Sequence, residues 1–409
     1  MDGMKVAYLS TEYPPKIYGG LGVYVDSISR ALATLGDLIT VFAPGDETLK
    51  KRQSRRKVTA IRERPIPMKD GLEIFLSPET IGWGEEGLDL LLDLLSFNQL
   101  AASDLLGKEP FDLCVAHDWL TLPAGMAAKR SGLPLIYHVH GLEVGRSAHP
   151  NHQLVDLEKR GAHLADAVMT VSYAMKEQLV ELGVPAEKIH VCYHGVDTDL
   201  FSPEAVDSMR TEEIRKRLGI DEGDLVILFL GRLEPVKGVI QLLQAMPSVL
   251  DRNPRARLLM VGKGTLEEEV RREASRLPVT LVTDFLEEKD KVQYYGLADV
   301  CVFPSLYEPF GIVALEAAAM GKAAVVGASG VSGLAEIVNN PATEKPTGVH
   351  VDSSSPEDIA WGLNLALADP LRLAEWGRNA RERSLNLFTW PRAAELTQEI
   401  YREVVGSQS

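Results

Sequence analysis

Two successive series of short, almost wholly apolar runs constrain this chain more than any other feature. The first series is 6–10, 39–43, 113–116, 135–139, 167–171 and 189–193; the second is 225–230, 257–261, 279–282, 300–303 and 323–326. Helical patterns separate most of these runs. Strands apolar on both faces belong to parallel sheets covered by helices on both sides. Between the series, Val196-Asp197-Thr198-Asp199-Leu200-Phe201-Ser202-Pro203-Glu204 interrupts the alternation. The pattern predicts an α/β protein of two doubly wound, Rossmann-like domains, 1–199 and 200–387, facing each other across a cleft. A length of 409 residues gives each domain a full core.

Charge and cysteine usage narrow the class. The net charge of −15 argues against a nucleic-acid partner, which wants a basic surface. Cys114, Cys192 and Cys301 sit apart inside apolar runs, as buried free thiols do. Met1-Asp2-Gly3-Met4-Lys5 leads straight into a strand without a signal-peptide pattern. No apolar run reaches the ~18 residues of a membrane span. The leucine-rich stretch 88–106 carries Asp89, Asp93 and Asp104 and reads as an amphipathic helix. A cytoplasmic location is expected. One basic run, Lys50-Lys51-Arg52-Gln53-Ser54-Arg55-Arg56-Lys57, reads as a solvated loop or a contact with an anionic membrane surface.

The segment Glu308-Pro309-Phe310-Gly311-Ile312-Val313-Ala314-Leu315-Glu316 carries the most chemistry. It follows the strand at 300–303 and opens a helix. One carboxylate therefore sits in the loop and the second in the first helical turns. Between them Phe310, Gly311, Ile312 and Val313 offer N–H groups that no helical carbonyl reaches. Such a helix start attracts an anion. Two carboxylates beside an anion site suit a ligand carrying both hydroxyls and phosphate, which a nucleotide-sugar does. After the strand at 225–230, Gly231-Arg232-Leu233-Glu234-Pro235-Val236-Lys237-Gly238 adds two cations, the guanidinium a planar fork and the ammonium a point charge.

Together these segments resemble the Glu-x7-Glu signature and the Arg/Lys pair of retaining GT-B glycosyltransferases of family 4, similar to glycogen synthases. The likeness covers nearly the whole chain and is weakest through about 45–110. It implies that Arg232 and Lys237 hold the donor diphosphate with the Phe310–Val313 amides, that Glu308 positions the sugar, and that Glu316 holds the ribose. Phe388-Thr389-Trp390-Pro391 and the helix after it resemble the family's last helix, so 388–409 is expected to pack back on the first domain. Tyr18-Gly19-Gly20-Leu21-Gly22 resembles the family's glycine loop, placing Gly19 and Gly20 near the donor. His140, in His138-Val139-His140-Gly141, resembles the histidine near the sugar. His117-Asp118-Trp119 resembles the acceptor-side motif of glycogen synthases, or is a strand-edge Trp with polar caps. One departure is the glycine pair that many relatives carry before a Glu. Here it is split, as Gly330-Val331-Ser332-Gly333-Leu334-Ala335-Glu336.

No metal is expected. Asp197-Thr198-Asp199 reads as structural, and the histidine pair has no third carboxylate or cysteine in a ligand spacing. The expected activity is metal-independent, retaining transfer of a hexose, with glucose favoured, from a UDP- or ADP-sugar to a hydroxyl acceptor. An α-glucan leads, and no cofactor is needed. A lipid or small-molecule acceptor is the alternative; a nucleotide-sugar epimerase or a non-catalytic binder competes less well. The base, sugar, acceptor and oligomeric state are left open.

Overall fold

The computed structural model describes residues 3–17, 19–45, 52–53, 55–61, 84–107, 110–146, 149–284 and 286–407. The chain divides into two compact units: residues 1–170, 179–192 and 393–409, and residues 171–178 and 193–392. The boundary expected at 199/200 falls instead at 192/193. Residues 171–178, read as part of the first domain, belong with the second.

In the first unit β1 (Lys5–Leu9), β2 (Leu38–Pro44), β3 (Arg52–Gln53), β4 (Arg56–Ile61), β5 (Leu113–His117), β6 (Leu135–Val139), β7 (Ala167–Thr170) and β8 (Ile189–Val191) form one sheet. Its order is β3-β4-β2-β1-β5-β6-β7-β8, parallel except for the β3–β4 pair. The winding runs one way from β1 to β4 and then resumes on the other side of β1 with β5. The carboxyl ends of β1 and β5 therefore flank a switch point, where such sheets bind ligands. The helix Trp390–Gly406 is held on this unit from Ala393 onward. Tyr401 shares a 2.6 Å hydroxyl contact with Tyr8, Thr397 meets Cys192 Sγ at 3.3 Å, and Gln398 donates to Asp37 at 2.9 Å. All three cysteines are buried and free.

In the second unit β9 (Leu225–Leu230), β10 (Ala256–Val261), β11 (Val279–Val282), β12 (Val300–Phe303), β13 (Ala324–Gly327) and β14 (Gly348–Val351) are all parallel. The order β11-β10-β9-β12-β13-β14 puts the switch point between β9 and β12. Those two strands lead into the Arg232–Lys237 and Glu308–Glu316 segments. The helix Val239–Arg252 buries Leu242, Leu243, Met246 and Val249, one stripe at helical spacing, into the core with Leu258, Met260 and Val302. Each such side chain contributes about 1.5–3 kcal/mol when fully buried.

Both sheets hold strands that the apolar runs did not predict. β4 begins inside the basic run, because Arg56 turns inward and pairs with Asp26 at 2.7 Å while Arg55 and Lys57 face solvent. Lys50, Lys51 and Ser54 lie outside the described residues. The run is therefore no uniform solvated loop. Among the described residues no helix is long and apolar enough to cross a membrane.

Candidate functional site

The loops after β9 and β12 are zipped together. Leu306 N–H donates to the Val236 carbonyl at 2.8 Å, and a Cβ on Gly238 would lie 1.9 Å from the Pro304 carbonyl oxygen. Gly238 also has φ +66°, so only glycine suits this crossing. The zip sets Lys237, at the end of a short 3₁₀ turn, against Glu308: Nζ to Oε2 is 2.5 Å. Ser305 Oγ donates to the same oxygen at 3.3 Å. Arg232 is exposed in the same loop. Lys237 and Arg232 thus collect at the switch point beside Glu308, while Glu234 of the same loop turns its carboxylate to the Thr265 N–H and hydroxyl.

Glu308 is fixed through its backbone as well. Its N–H donates to Val331 at 3.1 Å and its carbonyl accepts from Gly333 N–H at 2.8 Å. The split-glycine segment 328–333 therefore runs beside Glu308 as a one-residue parallel bridge with Ser332. The helix Ile312–Ala319 starts at Gly311, whose φ of +110° and 2.4 Å approach of a hypothetical Cβ to Leu334 again demand glycine. The N–H groups of Phe310, Gly311, Ile312 and Val313 donate to no described residue, which leaves this helix start available to an anion. The Phe310 ring is buried against Tyr193, His194 and Phe388.

Glu316 is buried rather than open. Lys291 Nζ lies 3.0 Å from Oε1 and Tyr295 OH donates to Oε2 at 2.8 Å. Burial alone would lower the Lys291 pKa, yet the Glu316 carboxylate outweighs it and holds it above the ordinary value. Sequence reasoning named Glu316 and missed both partners, which lie on the helix Glu288–Leu297 and follow no local motif. Glu336 was also missed as a functional group. Its carboxylate accepts from Tyr173 N–H at 3.0 Å, Ala174 N–H at 2.8 Å and Tyr193 OH at 2.8 Å. It thus caps the helix Tyr173–Glu181 from a distant part of the chain.

In the first unit, His117 ends β5 and His138 lies in β6, both fully buried, with His140 just beyond. His117 Nδ1 and His140 Nε2 are 3.0 Å apart, so one carries a proton toward the other's lone pair. The sequence offered no third ligand beside His138 and His140, yet the adjacent strand supplies His117, and the three rings bring a nitrogen each within 4.8 Å. The His138 and His140 rings stack 4.2 Å apart, tilted by 23°. Asp118 turns toward the neighbouring strand with a φ of +55°, accepting from His140 N–H at 2.7 Å and Arg146 at 3.0 Å. Trp119 is half-buried.

The glycine loop is held from within. Glu12 Oε2 accepts from Gly19 N–H at 3.0 Å and Gly22 N–H at 3.4 Å. The helix Gly20–Thr34 thus begins on a protein carboxylate. Tyr18 lies outside the described residues. Asp197 accepts from Asp199 N–H at 3.1 Å and Leu200 N–H at 3.0 Å, an Asx turn that explains this Asp-x-Asp by backbone geometry.

Two family models cover most of the chain: "Glycosyltransferase Family 4" over residues 18–200 and "Glycosyl transferases group 1" over residues 210–383. A glycogen synthase of Mycobacterium tuberculosis is 31% identical, over 97% of this chain and 94% of that protein. An α-maltose-1-phosphate synthase of Mycolicibacterium smegmatis is 29% identical, over 98% and 100%. The sucrose-phosphate synthase of Thermosynechococcus elongatus superposes with a TM-score of 0.80 at 24% identity, covering 98% and 99% of the two chains.

Proposed function

The chain belongs to the family 4, group 1 glycosyltransferases with the GT-B fold, and from that premise we propose that it moves a glucosyl group from a UDP- or ADP-sugar to an α-glucan with retention of configuration. The single observation that carries this reading is the β9/β12 switch point. There Lys237, Arg232 and the open helix start at Gly311 gather positive charge beside Glu308. Breaking a glycosyl–phosphate bond leaves extra negative charge on a nucleoside diphosphate, and fixed cations and amides stabilise it as it forms. In this reading the acceptor hydroxyl attacks the face that the leaving group vacates. The C–O bond to the sugar forms as the C–O bond to phosphate breaks, and the hydroxyl proton passes to the departing phosphate oxygen. Glu308 orients Lys237 and accepts a sugar hydroxyl. His140 contacts the sugar, and His117-Asp118-Trp119 belongs to the acceptor side, with Asp118 acting there through the His140 N–H and Arg146 that it holds.

A small phosphorylated acceptor is the second reading, favoured by the likeness to an α-maltose-1-phosphate synthase. A membrane-lipid acceptor gains less support, since Arg56 is buried in an ion pair. A cytoplasmic site of action, consistent with three free buried thiols, is part of the proposal. The deciding experiment is turnover of labelled UDP- and ADP-glucose with glycogen, with a sugar phosphate, and with no acceptor. Label should enter the glucan with an α-anomeric signal by NMR. A β-linked product would overturn retention, label only in the sugar phosphate would replace the acceptor, and release of free sugar alone would overturn transfer.

Charge stabilisation by Arg232, Lys237 and the helix start needs no metal, so turnover should survive excess chelator. Complete loss, restored by Mg²⁺ or Mn²⁺, would refute metal independence.

A further inference from the structure

Glu158 lies on the helix His152–Leu164 and is almost wholly buried. Both its oxygens accept from a single donor, the Glu143 N–H, at 3.1 and 3.2 Å. At the other end of the same four-residue turn, Asp118 accepts from His140 N–H. Between these two points Arg146 folds over the turn. It reaches Asp118, and a Cβ on Gly141 would meet its Nη2 at 2.8 Å. The turn from His140 to Glu143 is thus gripped from behind by two buried acids, one at each end, with a guanidinium across the middle. Glu143 extends the arrangement, because its Oε1 accepts from Asn151 N–H at 3.0 Å and Asn151 caps the helix that carries Glu158. A solvent-side turn needs no such support. A turn that must present His140 in one orientation does.

We propose that Glu158 is a positioning residue for the transfer reaction, holding the His140–Glu143 turn from behind so that His140 meets the sugar. The proposal rests on the reading of His140 as a substrate contact. Glu158 acts through Glu143 and the turn and touches no reacting atom.

The groups facing Glu158 are Glu143 and Arg146 from the turn and short helix, Asp118 from the helix after β5, and Tyr137 from β6. Burial pushes its carboxyl up to about 8, against the Glu143 N–H and Arg146, which favour the charged form, and with Asp118 adding to the rise. The folded protein therefore holds an extra proton between the ordinary 4.5 and about 8. Glu158's contribution to stability falls as pH rises across that window. Ionisation tightens the bond from the Glu143 N–H but sets a second negative charge near Asp118, and repulsion between the two acids strains the end of the turn where Asp118 holds His140 N–H and Arg146.

The test compares Glu158→Gln, Glu158→Leu and His140→Ala with the parent across pH 6–9.5. Glu158→Leu should lose about 10²-fold in kcat at pH 7, the loss that follows a misplacement of about 1 Å, with nucleoside diphosphate binding by calorimetry intact. Glu158→Gln keeps an oxygen for the Glu143 N–H and should recover most of that loss. The parent's kcat should fall as pH rises through about 8, a limb that Glu158→Gln, having no proton to lose, lacks. Should Glu158→Leu fail to fold, the pH profile of Glu158→Gln decides. A parental alkaline limb in Glu158→Gln, or parental kcat in a folded Glu158→Leu, overturns the proposal. His140→Ala at the parental rate sinks the reading of His140 itself. Loss in His140→Ala with unaffected Glu158 variants sinks only the role of Glu158.

Discussion

Lys237→Ala should slow transfer by about 10²–10³-fold, the loss typical of removing one donor that acts on developing charge. Binding of the nucleoside diphosphate should weaken less, because Arg232 and the amides from Phe310 to Val313 remain. The arrangement makes the loss steeper than a simple deletion. Lys237 holds Glu308 at 2.5 Å, and without it the carboxylate has Ser305 at 3.3 Å and faces an incoming diphosphate. Of the two cations in the β9 loop, only Arg232 is then left to meet the diphosphate. Lys237→Arg should restore little, since a planar fork does not reproduce a point charge on the same carboxylate oxygen. Single-turnover rates with a labelled nucleotide-sugar, set beside calorimetry, separate the two effects. A variant as active as the parent would remove Lys237 from the reaction.

The sheets were legible because their strands are buried on both faces and read as continuous apolar runs. β4 and β14 escaped for different reasons. β4 starts on Arg56, whose charge is satisfied by Asp26, a residue on the helix Gly20–Thr34 that sequence spacing does not connect to it. β14, Gly348–Val351, is a short edge strand beginning with glycine and containing a histidine. The unit boundary was misplaced for a third reason. Residues 171–178 follow a strand of the first sheet, yet Glu336 and Tyr307 grip them through the Tyr173 and Ala174 N–H groups and Gln178.

Site chemistry was legible where loop, charge and helix start are contiguous, as in Glu308–Glu316. It was not legible where a partner comes from another strand. His117 completes the histidine cluster across the β5–β6 pair, whose register sets His117 beside His138. Asp118, read as an acceptor-side group, spends its carboxylate on His140 and Arg146. Such contacts depend on strand order, which apolar periodicity does not encode.

Glu316→Ala should show two separable losses, one of stability and one of nucleotide affinity. The first follows from the ion pair. Removing Glu316 leaves Lys291 charged in a largely buried place and takes the acceptor from Tyr295 OH. Breaking such a pair costs ~3–5 kcal/mol, and because Lys291 keeps some access to solvent the value should sit near the lower end. Denaturant unfolding measures it. The second loss follows from the proposed ribose contact, worth about 1.5–3 kcal/mol for hydrogen bonds to a charged group. Glu308→Ala, by contrast, should spare nucleotide binding and impair transfer. The two roles of Glu316 part company in Lys291→Met/Glu316→Leu. Replacing both members of a buried pair by apolar groups is often neutral or stabilising, so stability should return while affinity for the nucleoside diphosphate stays low. If the double variant binds it like the parent, Glu316 is a structural acid and the ribose assignment is wrong. If Glu308→Ala alone loses nucleotide binding, the roles of the two carboxylates are reversed.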